Sequence, residues 1–107
     1  MSNSGNSIKD EAIREIAAGD LTTTLQALGG PLGRDAFRIT LKNNTNGDVY
    51  FSFDGSTLAK KFPAYSGEIL DDKTNDMYRK SGTQVSVKWD SAPGTPAGWV
   101  GLEVEYV

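Results

Sequence analysis

Ala36–Phe53 reads AFRITLKNNTNGDVYFSF, two runs of alternating apolar and polar residues separated by Asn46-Gly47. In the first, Phe37, Ile39 and Leu41 fall on one side and Arg38, Thr40 and Lys42 on the other; in the second, Val49, Phe51 and Phe53 share a side. A period of two is that of a strand with one buried face. Asn and Gly both tolerate positive φ, so the pair predicts a tight hairpin joining the strands.

Downstream the pattern repeats. Asp54-Gly55 marks another turn, and Thr57–Phe62 and Gly67–Asp71 read as weaker strands on either side of a turn around Pro63. The adjacent Lys60 and Lys61 suit a sheet edge guarded against strand addition. Asp72–Lys80 is a polar excursion in which only Met77 and Tyr78 can reach a core. After Ser81-Gly82, Thr83–Trp89 sets Val85, Val87 and Trp89 against Gln84, Ser86 and Lys88, the most regular alternation in the chain. A Pro/Gly loop, Asp90–Gly98, leads to a last strand with Val100, Leu102, Val104 and Tyr106 on one side and Gly101, Glu103 and Glu105 on the other. Loss of a few C-terminal residues is therefore expected to unfold the domain.

Upstream, Gly29–Gly33 is a loop. Leu21–Leu28 (LTTTLQAL) fits a helix by its leucines and a strand by its three threonines, and is taken as a strand. Ser7 followed by Asp10 resembles a capping box, and Ile8, Ala12, Ile13, Ile16 and Ala17 share a face at helical spacing. These features predict an amphipathic helix over Ile8–Ala18, with an Asp10–Arg14 pair and a stop at Gly19. Three helical turns are marginal alone, so the helix is expected to dock on its own sheet or on a neighbouring subunit. The expected organisation is a flexible tip at 1–7, an amphipathic arm at 8–19 and a β domain at 20–107. The fold class is mainly β: a small antiparallel β-sandwich of six or seven strands with one short N-terminal helix, a small open barrel being the alternative.

Composition narrows the chemistry. The 107 residues suffice for one domain. With no Cys and no His, thiolate, Ser-His and Cys-His machinery and the usual zinc frameworks have no residues to use. A net charge of −3 offers no broad cationic field for nucleic acid, and no apolar run is long enough to span a membrane as a helix. No catalytic residue, cofactor or metal is expected, and the chain reads as soluble and made in the cytoplasm.

Three groups of side chains invite closer reading. Asp71, Asp72, Asn75 and Asp76 could gather oxygen ligands for calcium, but their spacing is not that of an EF-hand, and a solvated loop is the plainer account. Glu103 and Glu105 lie two apart on one strand face, which a glycosidase pair could use, yet nothing nearby suggests a sugar cleft. Trp89 shares parity with Val85 and Val87 and belongs to the core. Trp99 instead shares parity with Glu103 and Glu105, and Tyr50 lies outward with Ser52. Each of these two suits a protein contact, plain packing or a sugar platform. The candidate interface residues are Ile8, Ile13, Ile16, Tyr50 and Trp99.

RITLKNNTNGDVYFSFDG (Arg38–Gly55), the Pro63 turn, Asp71 followed by Asn75, Ser81-Gly82-Thr83 leading into QVSVKW, and the closing GLEVEY together resemble a family of small structural proteins of tailed phages. LTTTLQALGGPL before them also fits, extending the similarity from Leu21 to Val107. The resemblance implies a non-enzymatic virion component in many symmetric copies, a homo-oligomer that decorates the capsid or joins head, neck and tail proteins. Its partners would then be other virion proteins, with no nucleic acid and no membrane. The second reading from the residues is a carbohydrate- or host-surface-binding module with Trp99 and Tyr50 as its platform.

Overall fold

The computed structural model describes residues 9–36, 38–71 and 79–106. Among these the chain forms β1 (Lys9–Asp10), β2 (Arg14–Ala17), a single 3-10 turn (Ala18–Asp20), β3 (Gln26–Ala27), β4 (Arg38–Thr45), β5 (Val49–Ser52), β6 (Lys60–Phe62), β7 (Ser66–Asp71), β8 (Ser86–Trp89) and β9 (Gly98–Tyr106). The protein is mainly β, with two antiparallel sheets. The first has the order β1/β2, β9, β4, β7; the second runs β3, β8, β5, β6.

Strict alternation accounts for the long strands. On β4 the inward residues Ile39, Leu41, Asn43 and Thr45 are buried, and on β9 so are Val100, Leu102 and Val104. From the second sheet Val49, Phe51, Val87 and Trp89 join them, so that both sheets share one core. Each apolar side chain among them contributes roughly 1.5–3 kcal/mol by leaving water. Trp89, as its parity implied, is fully buried; its indole N–H donates to the Leu21 carbonyl at 3.0 Å while its backbone N–H donates to Thr22. These two bonds pin the segment the sequence suggested as a strand over Leu21–Leu28. Only Gln26–Ala27 pairs there, because Thr22 closes a local turn by donating its hydroxyl to the Thr24 carbonyl.

The expected helix over Ile8–Ala18 is a correction. Ile8 lies outside the described residues, and the rest of the segment runs along the free flank of β9, pairing Asp10 with Glu105 and Arg14 with Leu102. Glu11, Ala12 and Ile13 thus stand opposite only Val104 and Glu103, a bulge of one residue. The bulge breaks the period of two and leaves apolar residues at spacings that mimic a helix. A short helix would gain little by itself, whereas the extended segment pairs the backbone groups of β9, which would otherwise lack partners. Arg14 fastens it further: its guanidinium donates to Glu11 at 2.7 Å and to the carbonyl of Gly30 at 3.2 Å.

The Asn46-Gly47 hairpin is the second correction. β4 pairs with β7 and β9, and β5 with β6 and β8, so the chain passes from one sheet to the other between Thr45 and Val49. Buried polar side chains at the inner end of β4 set this path. The Asn43 amide donates to the carbonyls of Phe62 at 3.1 Å and Pro63 at 2.9 Å, and the Thr45 hydroxyl donates to Asn43 Oδ1 at 2.5 Å. Asn46 then donates to the Thr95 carbonyl and accepts from the Ala97 N–H. Three crossings between the sheets are thereby tied at one corner. Asp54-Gly55, by contrast, does join two paired strands, β5 and β6.

Candidate interaction surface

The outward side of the first sheet is built in rows fixed by register. Lys42 on β4 stands between Gly67 on β7 and Gly101 on β9, and Thr40 stands between Ile69 and Glu103. Two glycines flanking a lysine leave two depressions. The one over Gly101 is covered by the half-buried indole of Trp99, two residues back on the same strand. That over Gly67 stays open, with Tyr65 and Ile69 on either side. The result is a shallow groove of about 560 Å³ lined by Thr40, Lys42, Asn44, Tyr65, Ile69 and Trp99.

Its rim is apolar and exposed: Tyr65 is 66% and Ile69 62% accessible. Tyr65 also has φ of 59°, the one non-glycine residue at positive φ among those described. For an L-residue that conformation costs roughly 1–2 kcal/mol, and an exposed ring gives little burial to offset it. Stability therefore does not explain Tyr65.

The charges around the groove are paired. Lys42 donates to Glu103 at 2.6 Å and Arg38 to Glu105 at 3.2 Å, so each carboxylate of the imagined glycosidase pair is held by a cation one strand away. Lys60 on β6 meets Glu68 on β7 at 3.2 Å, bridging the two sheets along one side.

The structure scatters the residues singled out from the sequence. Trp99 lies in the groove. Ile13 is exposed at the bulge beside Glu103, on the same outward side. Ile16 turns inward and packs on the core opposite Val100. Tyr50 points outward from the second sheet, between Lys61 and Lys88, whose ammonium groups stand 5.5 and 5.8 Å from its ring centre. Tyr50 and Trp99 thus occupy different sheets and form no common platform. Asp90 beside Lys61, 3.2 Å away, raises the lysine's pKa through a hydrogen bond and its charge. Of the suggested calcium group, residues 72, 75 and 76 lie outside the described residues, as do Met77 and Tyr78. Among the described residues no three His, Cys, Asp or Glu side chains converge as metal ligands.

Sequence reasoning missed Tyr65, Ile69 and Gly67. The available signal was a glycine inside each of two strands, which often marks a close backbone approach or a vacancy on the sheet surface.

Comparison of the chain with protein-family models, with curated proteins and with solved structures found no match.

Proposed function

We propose that this chain is a non-enzymatic structural protein of a tailed-phage virion, a small β-sandwich that contacts neighbouring subunits through the outward side of its first sheet. The observation that carries the reading is Tyr65: an exposed aromatic ring held in a strained backbone conformation at the rim of a groove. Strain retained where it gives no stability points to use of the surface. Three of the four exposed large hydrophobic residues among those described, Ile13, Tyr65 and Ile69, lie on that side, with Trp99 between them. The phage-like order of turns and strands from Leu21 to Val107 supplies the virion context. Repetition over symmetric copies makes small contacts collectively strong.

The test is co-sedimentation of the purified protein with phage particles or capsids lacking it. Wild type is expected in the pellet and Tyr65→Gly in the supernatant; equal pelleting of both would overturn the assignment of this surface, and absence of binding to every virion component would overturn the structural role.

A second reading is favoured by the groove's lining. A half-exposed indole bordered by Thr40, Lys42 and Asn44 has the mixture of flat apolar surface and hydrogen-bonding groups that sugar rings use. In this reading Tyr50 plays no part. A glycan array with Trp99→Ala as control tests it, and binding retained by the variant would remove Trp99 from the account.

A further inference from the structure

Among the described residues the two sheets present four outer edges, and three carry devices that discourage strand addition. β3 has two residues. β6 has three, two of them Lys60 and Lys61. The β1/β2 edge is interrupted by the bulge at Glu11–Ile13. β7 differs from them all. It runs for six residues in unbroken register with β4, contains neither Lys nor Pro, and exposes Ile69. Its central charge, Glu68, is already engaged by Lys60 within the chain. Among the described residues no strand pairs with its far side.

We infer that β7 is a strand-addition edge, and that its occupant is β7 of a second copy, paired antiparallel and centred on Ile69. A two-fold axis perpendicular to the sheet allows only same-parity residues to face each other, because paired residues project to the same side. Centring on Glu68 would set two carboxylates directly opposite, a destabilising arrangement. Centring on Ile69 sets isoleucine against isoleucine and Glu68 against Leu70. It also brings Asp71 of the second copy into register with Gly67, whose neighbour on β4 is Lys42. The pairing makes one sheet continuous across both copies and places the two grooves side by side.

One short strand pair covers less surface than a standard stable interface. The dimer is accordingly weak, dissociating on dilution and strengthened where copies are held in an array. This inference rests on the four edges and does not require the virion reading.

The chain has no cysteine, so a single Ile69→Cys reports the geometry directly. Directly opposed cross-strand residues bring their Cβ atoms close to the span of a disulfide. Under mild oxidation Ile69→Cys is expected to form a covalent dimer, whereas Ile13→Cys, equally exposed, remains monomeric. In parallel, sedimentation velocity over a concentration series should show a monomer–dimer equilibrium for wild type and its loss in Ile69→Lys, with unchanged far-ultraviolet circular dichroism. Cross-linking of Ile69→Cys no faster than Ile13→Cys would overturn the inference, as would a wild type that stays monomeric throughout or a dimer that survives Ile69→Lys. Virion binding by a strictly monomeric protein would remove this interface while leaving the proposed function standing.

Discussion

The indole of Trp99 lies across Gly101, so close that a Cβ on residue 101 would stand 2.8 Å from ring carbon Cζ3. The ring supplies the cover that glycine's missing side chain cannot, and the glycine supplies the space the ring occupies. Gly101→Ala should displace the indole without disturbing the backbone. Strand propensity gained by alanine offsets packing lost at Trp99, so the stability change is expected to stay within about 1 kcal/mol. The readout is fluorescence: Trp89 is fully buried, and a red shift in emission therefore reports Trp99 moving into water.

Two other glycines meet backbone rather than a movable ring. A Cβ at Gly67 would press on the Leu41 carbonyl oxygen, and one at Gly98, where φ is 92°, on that of Asn44. Gly67→Ala and Gly98→Ala should each cost on the order of 2–4 kcal/mol, well above Gly101→Ala. Denaturant midpoints for the three variants give the order directly.

Asn43 is expected to be the most costly polar position. Its amide serves carbonyls from two crossings, and Asn43→Ala would leave those acceptors and the Thr45 backbone N–H without their Asn43 partner in a buried corner. A loss of about 2–4 kcal/mol follows from several unsatisfied groups at roughly 1–3 kcal/mol each. Equilibrium unfolding of the variant measures it.

Tyr65 should behave in the opposite sense. Glycine adopts positive φ without strain, so Tyr65→Gly is expected to leave stability unchanged or raise it by up to about 1 kcal/mol. The same variant should lose partner binding in the sedimentation test. A stability gain accompanied by loss of binding separates a contact residue from a packing residue.

Acid stability should carry the mark of Asp54. The backbone N–H groups of Ser56 and Thr57 donate to its Oδ1 at 2.9 and 2.7 Å and hold its pKa far below the ordinary carboxylate range. Because the native pKa is depressed, this contribution is complete above the unfolded value near 4 and declines as pH falls below it. Asp54→Asn can still accept both bonds but does not titrate. Its denaturant midpoint should therefore fall less steeply than that of wild type on acidification.

The parts of the fold most legible in the sequence are those where one face is buried without interruption. β4, β8 and β9 follow their alternation, and the lysines of β6 do stand at an edge. Where a long-range contact decides the outcome, local pattern misleads. Asn46-Gly47 has hairpin chemistry, yet the strand partners are set by Asn43 reaching the carbonyls of Phe62 and Pro63, nineteen and twenty residues away. At Glu11–Ile13 a single inserted residue turns a strand's period into an apparent helix. Of the surface, Trp99 could be found because it breaks the polar parity of β9. Tyr65 and Ile69 were not singled out: the strand Gly67–Asp71 was legible, but Gly67 gives no side chain to show which of its faces is buried, and its glycine signal was not used.

The place of β9 between the N-terminal edge strands and β4 governs how the molecule can come together. When synthesis has reached Trp89, every strand of the second sheet exists, but the first has only β4 and β7 joined, and Arg14–Ala17 has nothing to pair with. The core side chains Val100, Leu102 and Val104, and the pairing of Arg14–Ala17, must wait for Gly98–Tyr106 to emerge and slide into the gap. Assembly is consequently late and dominated by distant pairings, the regime in which small β proteins take milliseconds to seconds to fold.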